Sequence, residues 1–385
     1  MNQKEISELR RRFRPEKCAV SRIYGCYVNG SSREVISYLD ESLGLLPQEE
    51  AEKYLGLLKK SLSGRLGRNL IDVVFSTKQV AEGDEHRLLM DLRDSELKNA
   101  EARNLFYQKI MDTVDMGENN YLILLAHDAY DVPHRNKNDQ VDGSDEVFSY
   151  ILCCVCPVKG CKMELGYFPG ENEFHSCAAG QIVSAPDLGF LFPAFDQRSA
   201  NIYNALYYAR KPEELHQEFI DAVFRTEPPM SAAEQKESFQ SALTEALGDA
   251  CGLEVVQAVH GGLLGKIEAH KESRDPEAPA VTAGDVEDIL ADCGAAPEQT
   301  AAFLEQWNDR FGEGAVLNPE NLIDSKRFDI KSDLVTISID PEHSAMVETR
   351  IIDGRRCLLI PIESDVEING IPMGLGTEAA EQEAT

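Results

Sequence analysis

Two stretches of almost unbroken apolar character dominate the chain, Tyr121–Ala126 (YLILLA) and Val147–Val158 (VFSYILCCVCPV). Runs of this kind suit central strands covered on both faces. The polar segment between them has no helical periodicity. The pattern therefore predicts two neighbouring antiparallel strands joined by a long polar loop, not a helical crossover. Before this pair, Ile6, Leu9 and Phe13 mark one face of a short helix over Lys4–Phe13, which Pro15 ends. Cys18–Val28 reads as a strand stopping at Asn29-Gly30, Arg33–Leu43 and Pro47–Leu62 as helices, and Asn69–Phe75 as a strand. A helix capped by Ser95 is expected to run to about Asp115.

After the apolar pair, turn residues separate candidate strands at Glu164–Phe168, Gln181–Ala185, Gly189–Phe195 and Ile202–Ala209. From Pro212 the pattern turns helical. Helices are expected over Pro212–Phe224, over Ser231–Leu247 behind a Ser231/Glu234 capping box, and over Leu253–Lys271. After a linker at Asp275–Val281 come Thr282–Cys293 and Pro297–Phe311, the latter with the single tryptophan, Trp307. A period of two then predicts strands at Arg327–Ile339, Val347–Ile352 and Cys357–Ile362, with a short edge at Val366–Ile371 broken by Asn369-Gly370. Asp353-Gly354 is a hairpin turn signal. The expected fold class is α+β: a mostly antiparallel central sheet with flanking helices, a helical middle region and a small C-terminal β-unit. The expected boundaries are residues 1–210, 211–311 and 312–373, followed by a disordered acidic tail at 374–385.

Charge narrows the function classes. The formal net charge is −29. Residues 1–75 hold 13 Lys and Arg against 10 Asp and Glu, or +3, so the remainder carries −32. Such a surface repels phosphate backbones, which disfavours nucleic acid as a partner. The one dense basic patch is Arg10, Arg11 and Arg12 with Arg14 and Lys17, and its simplest use is pairing with acidic groups of the same chain or a second subunit. The first twenty residues are polar and charged, no segment approaches a membrane span, and the ten cysteines are scattered, several of them inside apolar runs. A cytoplasmic protein with reduced, buried thiols is expected.

Four places could carry chemistry. His127, Asp128, Asp131 and His134 lie at the end of the first apolar strand and in its exit, with side chains suited to a divalent metal. Their spacing matches no established ligand motif, and His127 and Asp128 would face opposite ways on a strand. Asn136–Glu146 loosely follows a calcium loop but lacks its final glutamate. Cys154 and Cys156 share a strand face without a second pair to complete a metal site. Arg198, in the string LFPAFDQR, could meet an anion or pair with Asp196. Gly261–Ile267 is one residue short of a phosphate loop and lies in a helical pattern, so that reading is rejected.

The strings MNQKEISELRRRFRPEKCAVSRIYGCYVNG, YLILLAHDAYDVP, SDEVFSYILCCVCPV, DLGFLFPAFDQRSANIYNALYYARKPEELH and VETRIIDGRRCLLIPI together resemble a bacterial family of unknown function, domain-of-unknown-function family 4317, found in anaerobic Gram-positive bacteria. The resemblance covers residues 1 to about 373 and implies no activity or functional residue. The order of elements also resembles the bacterial nucleoid-associated protein family. Fold analogy does not transfer function. The leading expectation is a non-enzymatic interaction protein, nucleoid-associated in one version, with a protein partner or a homo-oligomer, no cofactor and no membrane. Its candidate binding residues are Arg10, Arg11, Arg12 and Arg198. The alternative is a metal-dependent hydrolase using His127, Asp128, Asp131 and His134.

Overall fold

The computed structural model describes residues 1–135, 141–160, 164–177, 180–227, 229–361, 366–368 and 370–373, without the side chains of 134, 135, 141–146, 164, 177, 366, 368 and 373. The chain divides into two compact units, residues 1–237 with 270–279, and residues 238–269 with 280–385.

The first unit is built from α1 (Gln3–Arg10), β1 (Arg22–Val28), β2 (Val35–Ser42), α2 (Gln48–Lys60), β3 (Leu70–Val74), α3 (Thr77–Glu82), α4 (Asp84–Asp94), α5 (Ala100–Thr113), β4 (Asn120–Arg135), β5 (Val141–Gly160), β6 (Glu164–Phe168), β7 (Glu173–Cys177), β8 (Gln181–Val183), β9 (Leu188–Phe192), β10 (Ala194–Asp196), β11 (Ser199–Asn201), β12 (Asn204–Ala209) and α6 (Gln217–Phe224). Its main sheet has the order β2-β1-β4-β5-β9-β12-β3, and β8 also pairs with β5. All these pairings are antiparallel. The α+β class with a large antiparallel sheet is thus as the patterning predicts.

The two apolar runs form the centre of that sheet. Tyr121 pairs with Pro157 and Ala126 with Leu152. Alternation along β4 then sends Ile123 and Leu125 to a core shared with Phe106 and Ile110 of α5 and Phe219 of α6. Leu124, Ala126 and Tyr130 go to a second core shared with Ile6 and Leu9 of α1 and Leu55 and Leu58 of α2. A sheet buried on both faces needs apolar residues at consecutive positions, which explains the unbroken runs.

Several local readings change. Arg33–Leu43 is the edge strand β2, not a helix: Ile36, Leu39 and Leu43 fall at helical spacing, but the β-branched and aromatic VISY segment pairs with β1. The helix expected behind Ser95 is two helices, because Ser95 closes α4 and Asn99 caps α5 through the amides of Glu101 and Ala102. The long polar loop is largely strand, since the β4–β5 ladder runs on past Asp131 with shifts at Val132 and Pro133. Gly189–Phe195 is divided between β9 and β10 around Pro193, and the first residues of Pro212–Phe224 are turn, with α6 starting only at Gln217.

The helix α7 (Ala232–Leu247) opens on the expected capping box, with Glu234 N–H donating to Ser231 Oγ and Ser231 N–H to Glu234. The second unit contains α8 (Leu253–Ser273), β13 (Val281–Thr282), α9 (Ala283–Asp292), α10 (Pro297–Phe311), β14 (Val316–Leu317), α11 (Pro319–Leu322), β15 (Phe328–Lys331), β16 (Thr336–Ile339), β17 (Glu348–Ile352), β18 (Arg355–Leu359), β19 (Val366–Ile368) and β20 (Ile371–Met373). Phe239, Leu263, Leu290, Phe303 and Trp307 form its core. Arg327–Ile339, expected as one strand, is the hairpin β15–β16, and the short edge expected at Val366–Ile371 with a break at Asn369-Gly370 is the hairpin β19–β20. The tail 374–385 lies outside the described residues. Among the described residues no helix is long and apolar enough to cross a membrane.

Candidate functional site

The exit of β4 separates the residues that the sequence groups together. Asp128 faces the α1 side and is 2% exposed, while His127 faces the opposite side. Asp131 is exposed, opposite Val147 in the ladder. The side chain of His134 lies outside the described residues, as do residues 136–140 and the side chains of 141–146 in the calcium-like segment. Among the described residues no group of three His, Cys, Asp or Glu is placed to hold a metal ion.

What the structure does assemble is a buried polar cluster around Asp128. Its Oδ1 accepts from Ala19 N–H at 2.8 Å, and its Oδ2 from the Tyr150 hydroxyl at 2.7 Å. Arg12 approaches both oxygens, with Nη2 3.2 Å from Oδ2 and Nε 3.3 Å from it. Arg12 Nη2 also donates to the Ala129 carbonyl at 3.1 Å, and its guanidinium lies 4.2 Å from the Tyr130 ring centroid. The ladder causes part of this, because Tyr150 stands directly opposite Asp128. α1 causes the rest, since its C-terminal end carries Arg12 over the sheet.

Burial works against the Arg12 charge, but the Asp128 carboxylate outweighs it and holds the guanidinium above its ordinary pKa. Burial, reinforced by Asp128, pushes the Tyr150 phenol well above the usual range, so it remains a proton donor. Both Asp128 oxygens are therefore engaged by donors of the same chain, and Arg12 spends its fork on them.

A second tie lies beside the first. Arg198 Nη1 donates to Glu8 Oε2 at 2.7 Å, its Nη2 to the Pro133 carbonyl at 3.1 Å, and its backbone N–H to Glu5 at 3.3 Å. Glu8 also accepts from the Tyr130 hydroxyl. Arg198 thus pairs with α1 and not with Asp196, which accepts instead from Asn201 Nδ2. Arg10 and Arg12 are both partly buried and Arg11 is exposed, so within the basic run Arg12 is the anchor to Asp128 and Arg11 a solvated charge.

On the opposite face His127 Nε2 is 2.8 Å from Ser149 Oγ, a contact that sequence spacing does not reveal because the two residues meet only through the ladder. Burial holds the imidazole below its ordinary pKa against the pull of Glu96 and Asp128, so His127 is neutral at pH 7. Among the described residues no carboxylate hydrogen-bonds its other ring nitrogen. The pair has the distance of a nucleophile and base but lacks the third group that would orient the base. Cys154 and Cys156 share one face, 3.7 Å apart. Their mutual contact and burial raise the Cys154 thiol well above its ordinary value. The Cys161 region and the Cys177 side chain lie outside the described residues. Gly261–Ile267 lies within α8.

Fold and cluster together define an α+β protein whose most elaborate polar site is an internal brace between its first helix and its central strand pair. The chain belongs to the family described as Domain of unknown function (DUF4317), whose match covers residues 1–371. Comparison with curated proteins and with solved structures gives no match.

Proposed function

We propose that the chain is a non-enzymatic interaction protein that self-associates through one face of the β6–β7 hairpin. The observation that carries this reading is the exposure of Leu165 (71%), Tyr167 (49%) and Phe174 (65%) on that face. Tyr167 and Phe174 are cross-strand neighbours with ring centroids 5.0 Å apart, and Leu165 lies two residues from Tyr167 on the same side. The hairpin forms its own two-stranded sheet outside the main one. Two strands alone are marginally stable in water, and an exposed aromatic face is a characteristic interaction surface. A second copy supplies a matching face, because an isologous contact needs only one self-complementary patch.

The nucleic-acid version rests on Arg10, Arg11 and Arg12. Commitment of Arg12 to Asp128 weakens it, as does the net charge of −29. The buried free thiols Cys26, Cys153, Cys154 and Cys156 support a reducing, cytoplasmic location.

Sedimentation velocity across a concentration series tests the proposal. The expected result is a rising average mass that returns to the monomer value in Leu165→Glu/Phe174→Glu. A monomer at every concentration, or a variant that associates like the parent, refutes it. DNA binding retained at physiological salt and lost on substitution of Arg10 and Arg11 would instead favour the nucleic-acid version.

A further inference from the structure

In the first unit a half-open cavity of about 560 Å³ lies between α2 and the ends of β4 and β8. Tyr54 and Leu57 of α2, Leu122 of β4, and Ile182 and Val183 of β8 give it an apolar lining. Its volume falls within the usual range of small-molecule sites, about 300–1,000 Å³. Lys53 and Lys60 stand on its rim. Seven residues of helix separate them by about 10 Å along the axis and put them on the same side, with Leu57 between.

We propose that this groove binds a single-chain amphiphilic carboxylate, its tail against the apolar lining and its head held by Lys53 and Lys60.

Three observations support that chemistry. First, both lysines are exposed at the cavity rim and neither has an ion pair or side-chain hydrogen bond among the described residues, so both ammonium groups are available to an anion there. Glu50 shares the rim, so a single carboxylate opposes two ammonium groups and the local balance still favours an anion.

Second, Gly56 lines the cavity in the middle of α2, a position where glycine weakens a helix. A Cβ there would meet no atom within 4 Å, so internal packing does not require the glycine. Its absence of a side chain instead leaves the cavity open. Third, Ile182 is 54% exposed although it lies beside this apolar lining, so an apolar tail would cover surface that the chain itself leaves wet.

Isothermal titration of the full chain with dodecanoate, dodecan-1-ol and dodecyltrimethylammonium tests the proposal. Dodecanoate is expected to bind at one site per chain, and the alcohol and the cation about tenfold more weakly or less. Lys53→Gln/Lys60→Gln should lower dodecanoate affinity about tenfold and leave the alcohol unchanged. Glu50→Gln should raise dodecanoate affinity. Gly56→Leu should abolish binding of all three while circular dichroism shows an intact fold, and the lysine variant carries the test if that fold is lost. Absence of saturable dodecanoate binding overturns the proposal, as does equal affinity for the cation or binding that survives both the leucine and the lysine substitutions. Binding of phosphatidylglycerol vesicles without binding of free dodecanoate also overturns it, because the occupant would then be a membrane surface. Phe174→Glu is expected to leave binding unchanged, which separates this groove from the self-association face.

Discussion

Removing the Asp128 carboxylate is the sharpest test of the brace between α1 and the β4–β5 pair. Asp128→Ala leaves the Arg12 guanidinium, whose side chain is only 17% exposed, without its acid. It also strips the acceptor from Ala19 N–H and from the Tyr150 hydroxyl, which lie 2.8 and 2.7 Å from Asp128. Breaking a buried pair by deleting one partner costs about 3–5 kcal/mol, most of it the penalty for stranding the other charge. In a unit of this size that lowers the melting temperature by about 6–20 °C. Arg12→Met in the Asp128→Ala background removes the stranded charge and should recover about 2 kcal/mol, a coupling readable in a double-mutant cycle. Calorimetry measures the loss. Fluorescence of Trp307, which lies in the core of the second unit, serves as an internal reference. A cost below about 1 kcal/mol, or strictly additive single substitutions, would refute the reasoning, because it would mean that the cluster is solvated in the folded chain.

Three further outcomes follow from the same packing. Gly189→Ala puts a Cβ 2.5 Å from the Cys153 carbonyl oxygen and 2.8 Å from Ser61 Cβ, so a stability loss of about 3 kcal/mol is expected in urea titration; an unchanged midpoint would contradict the close strand approach. Gly56→Ala should raise the midpoint by up to about 1 kcal/mol through helix propensity, because the added methyl meets open space, and a destabilised variant would contradict that. Burial holds His127 below its ordinary pKa, and the groups acting on it include Glu96, Asp128, Lys98 and Arg93. The unfolded chain therefore binds the proton more readily, so the His127 contribution is present above about pH 6.5 and is lost as pH falls through the folded pKa. The stability difference between pH 7.5 and pH 5 should shrink in His127→Gln, and an unchanged difference would count against a buried neutral imidazole.

The sheet centre was legible because burial on both faces demands apolar residues at successive positions, and Tyr121–Ala126 and Val147–Val158 supply them. The capping residues Ser231 and Glu234 were legible because their chemistry is local. The edge strand β2 was not: it is largely exposed, and its Ile36 and Leu39, with Leu43 just beyond it, also satisfy a helical period. The cluster around Asp128 was legible only in part. Periodicity indicates that Asp128 and His127 face opposite ways, but Arg12 reaches Asp128 across 116 residues and Arg198 reaches Glu8 across 190, and no spacing rule announces such partners. The Ser149 contact with His127 is hidden in the same way, since strand register alone creates it.

The sheet order also sets a timetable for synthesis. β4 meets β5 almost as soon as both have been made, whereas Leu70 of β3 waits for Tyr208 of β12, 208 − 70 = 138 residues later. At ordinary translation rates that interval is roughly 7–28 s. Throughout it β3 is a short, apolar, unpaired segment, LIDVV, of the kind that seeks out other chains. The exception in that segment is Asp72, at the middle of the strand and later opposite Leu206. A carboxylate in that place repels an identical neighbour and so protects the nascent strand until its own partner arrives.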